Sequence, residues 1–266
     1  MKKVIFITGV SSGLGLAIAK QLEMLGHIVY GSSRNENFDL EGIQVIKMDV
    51  TRSGEIDQAI QFIISREGRI DVLINNAGIG LAGAIEDFSE QEAYFEMNTN
   101  FLGAYRCCKV VLPYMRKQKG GTIITIGSIA GLMGLPYQGF YSASKFALEG
   151  LMESLRYEAK QWGIRVVMVN PGDFRTGFTA NRLKVENSVK SEYQKSIIRA
   201  LTVIGNDETG GLLPDTLARK LSKIIIYKNP KHRYIVASFE QKLAVLLSKI
   251  LPSKWFSKII AGHYKV

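Results

Sequence analysis

The sequence predicts an α/β protein: a Rossmann-like, doubly wound parallel sheet of about seven strands flanked by helices. Short β-branched runs alternate with longer segments of helical periodicity along most of the chain. The runs are apolar without strict alternation, as strands covered on both faces must be. A glycine-rich turn follows the first run directly, where such a sheet passes its chain into a helix.

VIFIT (4–8) reads as the first strand. The helix after it carries Leu14, Ile18, Leu22 and Leu25 at three- and four-residue spacing and is closed by Gly26. HIVYG (27–31), IQVIKM (43–48), DVLIN (71–75), GTIITIG (121–127) and IRVVMVN (164–170) read as further buried strands. A helix from about Pro214 to Tyr227 precedes a last strand, RYIVA (233–237). The stretch about 173–214 is less regular and glycine-punctuated, and is expected to form a mobile lid. No repeat or linker interrupts the pattern, so residues 1–238 are expected to make one domain, with 239–266 as a basic amphipathic extension.

At 266 residues the chain can bury a sizeable core, and its composition is ordinary for a globular protein. Its two cysteines, Cys107 and Cys108, are adjacent and poorly placed to bridge each other, which fits a reducing, cytoplasmic setting. MKKVIFITGVSSG has lysines before an apolar run too short for a signal peptide, and no apolar stretch approaches the roughly 20 residues that span a bilayer. No metal ligand set is read.

The charge is uneven. Thr216 to Val266 hold eleven Lys/Arg against one acidic residue, Glu240, which accounts for the whole net charge of +10. Within that tail Phe239, Leu243, Leu246, Leu247, Ile250 and Leu251 form a helical apolar stripe, and K254-W-F-S-K-I-I260 continues the basic and apolar mixture. Such a segment suits an anionic membrane surface, and equally suits packing against the body or a second subunit. The neutral body and the apolar stripe argue against nucleic acid.

T8-G-V-S-S-G-L-G15 lies between strand and helix. Gly9, Gly13 and Gly15 allow a tight turn and close backbone approach, and the helix N-terminus beyond Ser11, Ser12 and Leu14 offers free N–H groups to a pyrophosphate. A plain strand–helix turn would use the same glycines, but the flanking elements favour a dinucleotide. After the second strand come Ser33 and Arg34, with no carboxylate until Glu36. A hydroxyl and a guanidinium there fit the 2′-phosphate of NADP(H), where an acid would fit NAD.

Farther on, G139-F-Y-S-A-S-K-F-A-L-E-G150 sets Tyr141 and Lys145 on one helix face. Carbonyl reduction needs a hydride, a proton for the developing alkoxide and donors at that oxygen. A tyrosine is protonated near neutrality, and a nearby ammonium eases its ionisation in the reverse direction.

These motifs, in this order, resemble a classical short-chain dehydrogenase/reductase over roughly residues 3–237. They are the turn at 8–15, Asp49-Val50, N75-N-A-G78, Asn100 in MNTNFLG, Ser128 in IGSIAG, the Tyr141/Lys145 pair, and N170-P-G172 with Thr176. Ser128 lies thirteen residues before Tyr141, the usual family interval. The resemblance implies that Tyr141 is the acid/base and that Ser128 hydrogen-bonds the substrate oxygen. Lys145 would reach the nicotinamide ribose, and Asn100 would hold a water in the proton relay. It further implies that Asp49 contacts the adenine amino group and that Val50, Asn76, Ala77 and Gly78 line the adenosine side. Pro171, Gly172, Phe174 and Thr176 match the stretch near the carboxamide, with Phe174 where the family usually has an aliphatic residue.

A family does not give a substrate. Leu132, Met133, Leu135, Tyr137, Phe140 and Phe146 flank the catalytic residues and Phe178 and Leu183 sit in the lid, so a hydrophobic carbonyl or alcohol is expected, steroid-, retinoid- or lipid-like. The chain is most similar to the hydroxysteroid-dehydrogenase-like branch, which implies a homodimer or homotetramer through helices near 100–117 and 142–162. The glycine spacing and the short region after the sheet disfavour an extended nucleotide-sugar epimerase. A non-catalytic NADP(H)-sensing or membrane-surface module would drop catalytic residues, and none is dropped.

Overall fold

The apolar runs pair with one another in parallel, each strand one step of a continuous register. The computed structural model describes residues 1–35, 38–178 and 182–266. The chain runs β1 (Val4–Ile7), α1 (Gly13–Met24), β2 (Ile28–Ser33), β3 (Gln44–Lys47), α2 (Ser53–Glu67), β4 (Val72–Asn75) and the short β5 (Leu81–Ala82). It continues through α3 (Glu90–Met97), α4 (Gly103–Lys117), β6 (Gly121–Ile126), α5 (Gly139–Ala159), β7 (Ile164–Pro171) and the short β8 (Leu183–Lys184). It ends with α6 (Gln194–Thr209), α7 (Pro214–Ile226), β9 (Arg233–Val236), α8 (Phe239–Ile250) and α9 (Ser253–Tyr264). The main sheet has seven strands in the order β3-β2-β1-β4-β6-β7-β9, while β5 pairs with β8.

Alternating side chains feed two cores. Val4 and Phe6 of β1 pack under α2, α4 and α5, with Ile60, Val111 and Met152. Ile5 and Ile7 pack under α1 and α7, with Ile18, Leu22, Leu217 and Leu221. Burying each such side chain contributes about 1.5–3 kcal/mol, so the helices on both faces hold the sheet in place.

Three sequence expectations change. IQVIKM is not fully buried: β3 is the sheet edge, and Gln44 and Lys47 are exposed. Leu25 does not join the α1 stripe; the helix ends at Met24, Leu25 is 54% exposed, and Gly26 turns the chain at φ +79°. The stretch 173–214 is more regular than its glycines imply, because Gln194–Thr209 is a helix whose Ile197, Ala200 and Ile204 point inward.

From β1 the chain moves outward to β2 and β3, then returns to the other side of β1 as β4. Connections leaving the C-terminal ends of β1 and β4 therefore diverge and open a crevice between them, the place where an open α/β sheet holds its ligand.

Candidate active site

The crevice is held open by side chains that bond backbone. Thr8 Oγ1 accepts from the amides of Asn76 and Ala77 at 3.0 Å each. The Asn76 amide group donates to the carbonyls of Thr8 (3.0 Å) and Gly9 (2.8 Å). The loops after β1 and β4 are thus one unit. Gly9 and Gly13 have φ of +73° and +59°, which favours glycine. A Cβ on Gly15 would land on the Gly9 carbonyl and the Asn76 side chain. Ser12, the residue before α1, makes no side-chain cap, so the first amides of that helix keep their hydrogen-bonding capacity at the cavity wall. This cradle fits a pyrophosphate.

At the adenosine end, Ser33 closes β2 only 4% exposed, its oxygen accepting from the Asn35 amide at 3.0 Å. That leaves the hydroxyl proton to donate. Arg34 follows, exposed along the same wall. Asp49 and Val50 line the wall too, and Asp49 Oδ1 accepts from the Thr51 amide and hydroxyl at 2.8 Å each. Glu36 lies outside the described residues.

The other motifs converge at the far end of β6. Ser128 caps a single 3-10 turn, its Oγ accepting from the Ala130 amide at 3.1 Å, which leaves its proton for another acceptor. Asn170 Nδ2 holds the Ser128 carbonyl (2.9 Å) and Glu149 Oε1 (2.6 Å), and Glu149 pairs with Arg233. Tyr141 stands in the first turn of α5, its ring 5.9 Å from that of Phe178. One turn on, Lys145 is 6% exposed; its Nζ donates to the Ile126 carbonyl at 3.1 Å and lies 5.6 Å from the Tyr141 ring centre. Asn100 sits in a π-helical turn, Asn98–Leu102. Its side chain accepts from the Ile79 amide (2.8 Å) and donates to the Ile79 carbonyl (3.0 Å) and Ser144 Oγ (3.1 Å). Both amide protons of its side chain are thus committed to Ile79 and Ser144, while Oδ1, which accepts one bond, keeps a second lone pair.

Burial sets the electrostatics. It pushes Tyr141 up to about 12, with Glu96 and Glu208 adding to the rise and the adjacent Ser128 hydroxyl and Arg182 opposing it. It pulls Lys145 down to about 8, against the attraction of Glu96 and Glu149. At neutral pH the pair is therefore an un-ionised phenol beside an ammonium, the state that can donate a proton.

Glu96 carries no motif that flagged it in the sequence. It is fully buried on α3, Oε1 accepts from the Leu81 amide at 2.9 Å, and Oε2 has no hydrogen-bond partner among the described residues. Burial raises it to about 7, while Lys145 pulls it down.

The cofactor-side and catalytic positions expected from the sequence, Asn100 excepted, line one cavity of about 610 Å³. Its opposite wall is apolar at Phe95, Leu135, Phe178, Leu183 and Ile204, and polar at Asp173, Asp207, Glu208 and Tyr264. Burial and the neighbouring Glu208 and Asp207 raise Asp173 to about 6. Arg182 pairs with Glu208, His263 with Asp207 (2.9 Å), and Gln241 Nε2 donates to Asp173. Several expected wall residues lie elsewhere. Phe140 packs its ring at a tilt against Phe88, 4.9 Å between centroids, and Phe146 faces outward. Leu132 and Met133 pack beneath α8 and α9, and Tyr137 against α6 and α9, because the tail covers the segment between Ser128 and Tyr141. Phe174 joins the sheet core while also touching the cavity.

Residues 3–187 match the family model for short chain dehydrogenase. A 3-ketodihydrosphingosine reductase of Bacteroides thetaiotaomicron is 45% identical over 265 residues, 99% of this chain and 98% of its own. A short-chain dehydrogenase structure from Streptomyces avermitilis superposes with a TM-score of 0.84 at 28% identity, covering 98% of this chain and 99% of its own. ElxO, solved with NADP bound, superposes at 0.74 with 28% identity, covering 89% and 97%.

Proposed function

This chain belongs to the short-chain dehydrogenase family, and on that premise we propose that it is an NADPH-dependent reductase of a long-chain ketone. The observation that carries the reading is the Tyr141–Lys145–Ser128 cluster in the same cavity as the glycine cradle. The nicotinamide supplies the hydride when bound. Gly9, Ser11, Ser12, Gly13, Leu14 and Gly15 hold the pyrophosphate, Asp49, Val50, Asn76, Ala77 and Gly78 the adenosine, and Pro171, Gly172, Phe174 and Thr176 the nicotinamide side. Ser33 donates to a 2′-phosphate and Arg34 pairs with it.

Ser128 and Tyr141 donate to the carbonyl oxygen and so stabilise the charge that grows there. Tyr141 then delivers its proton, and the Lys145 ammonium stabilises the phenolate left behind. Asn100 would hold a water of the relay through which a proton from solvent passes by way of Lys145 to the phenolate. Raised to about 12, Tyr141 is protonated near neutrality, which is the form that reduction requires.

The named activity of the Bacteroides relative supports a sphingoid-type ketone, which carries an ammonium beside its carbonyl and a long alkyl chain. Leu135, Phe178, Leu183 and Ile204 suit the chain. Asp173, Asp207 and Glu208 line one end of the cavity, where burial first and the neighbouring carboxylates second raise Asp173 to about 6, and an ammonium there would offset the carboxylates' part. Exposed Tyr105, Phe146 and Tyr157 on α4 and α5 support assembly through those helices.

Loss of NADPH absorbance tests the reading with an amino ketone, the same ketone without its amine, a steroid and a retinoid. The amino ketone is expected to turn over fastest and the deaminated one at higher KM. No ketone reduction, or faster turnover with NADH, would sink it.

A further inference from the structure

The apolar residues of the tail, open in the sequence between membrane and packing, divide in the fold. Val245 and Tyr264 are buried, and Ala244, Phe256 and Ile260 pack with them against Ile129, Met133, Leu135 and Ile204. These are the inner sides of α8 and α9. On the outer side Phe239 (75% exposed), Leu243, Leu246 and Ile250 follow one another at i, i+4, i+7 and i+11, a single stripe along α8. Trp255 (68%) and Ile259 continue it on α9, again four apart. Six large apolar side chains on two neighbouring helices exceed the scattered exposure of an ordinary surface.

Lysines border both stripes. Lys242 and Lys249 on α8 and Lys254 and Lys258 on α9 are exposed, against one acid, Glu240. No helix among the described residues is long and apolar enough to cross a membrane.

We propose that the outer face of α8 and α9 is a docking surface for an anionic lipid bilayer. The apolar stripe enters the acyl boundary and the lysines meet the headgroups, the geometry of an interfacial helix. A second copy fits worse. A two-fold contact sets a surface against itself, and here that would oppose the lysines of one copy to those of the other with Glu240 alone as counter-charge. The position also has a use. Tyr264 on the inner side of α9 lines the catalytic cavity, and Gln241 on the inner side of α8 holds the wall residue Asp173. Docking sets that wall beside the membrane. The proposal goes beyond the reductase reading and does not depend on it, because binding is measured without substrate.

The test uses the full chain with vesicles of phosphatidylcholine containing about 30% phosphatidylglycerol, and of phosphatidylcholine alone. Co-sedimentation is expected on the anionic vesicles and at least tenfold less on the neutral ones, falling as salt is raised. In a Trp162→Phe background, which leaves Trp255 as the single tryptophan, its emission is expected to shift to shorter wavelength on the anionic vesicles. The variant L246E/W255E changes only exposed positions; unchanged far-ultraviolet circular dichroism checks its fold, and at least a tenfold loss of vesicle binding is expected. Equal binding by wild type and variant would overturn the proposal. So would an oligomer in light scattering that the variant dissociates while neither form binds vesicles, which would give the face to a second copy.

Discussion

On the cofactor side of the cavity the wall is mostly backbone, locked by buried side chains: Thr8 and Asn76 bridge the loops after β1 and β4, and Gly15 packs on the Gly9 carbonyl. On the substrate side the wall is side chains contributed by the lid and the tail, joined by ion pairs such as His263–Asp207 and by apolar packing. Backbone walls have one shape and tolerate no added atom. Side-chain walls can be refilled, so a fold can keep its cofactor and change its substrate. Tyr141 stands where the two meet.

The largest effect is expected at that junction. Tyr141→Phe removes the proton but not the packing, so kcat is expected to fall about 10²–10⁴-fold while NADPH binding, read by fluorescence, stays unchanged. Substantial residual turnover would reject Tyr141 as the acid. On the backbone wall, Gly15→Ala is expected to lower thermal stability by about 1–3 kcal/mol, as overpacking does, and to abolish measurable NADPH binding. A stable variant with normal binding would mean that the cradle can yield.

Next comes Arg34→Ala, which takes one charge-assisted contact from the cofactor. KM for NADPH is expected to rise about tenfold, the scale of 1.4 kcal/mol, with KM for NADH little changed. An equal change for both cofactors would remove the 2′-phosphate assignment.

The smallest effect is a displaced pH profile. Reduction is expected to decline as pH rises through about 8, where Lys145 loses its ammonium. Glu96 supports that charge, so in Glu96→Gln the decline should begin at lower pH. Stability gives a second readout. Glu96 is raised from 4.5 to about 7 in the folded state, so the native form binds the extra proton. Its contribution is then full below 4.5 and is lost as pH rises through about 7. The amide variant should lack that slope, and a profile identical to wild type in both measurements would show that Glu96 does not sense Lys145.

The same division explains what could be read from residues. VIFIT, DVLIN and GTIITIG were legible as strands because local composition and two-sided burial agree. TGVSSGLG and YSASK were legible because a phosphate cradle and a phenol–ammonium pair need fixed local spacing. Glu96 was not legible: its meaning comes from facing Lys145 across the contact of α3 with α5, and its own segment shows only one more acid on a helix. Helix α6 was hidden by Gly205 and Gly210, although Ile197, Ala200 and Ile204 already carried the helical period. Phe140 and Phe146 misled for the opposite reason, since nearness in sequence to Tyr141 says nothing about direction on a helix.

By itself the sequence determined the sheet, the order of its motifs and the family, because these rest on periodicity and on short fixed spacings. Only the tertiary structure decided which apolar residues face the cavity, which carboxylates share it with Tyr141, and which apolar residues of the tail are buried. Those properties depend on packing between distant segments: α9 supplies Tyr264 to a cavity that begins at Gly9, and no local spacing encodes that meeting.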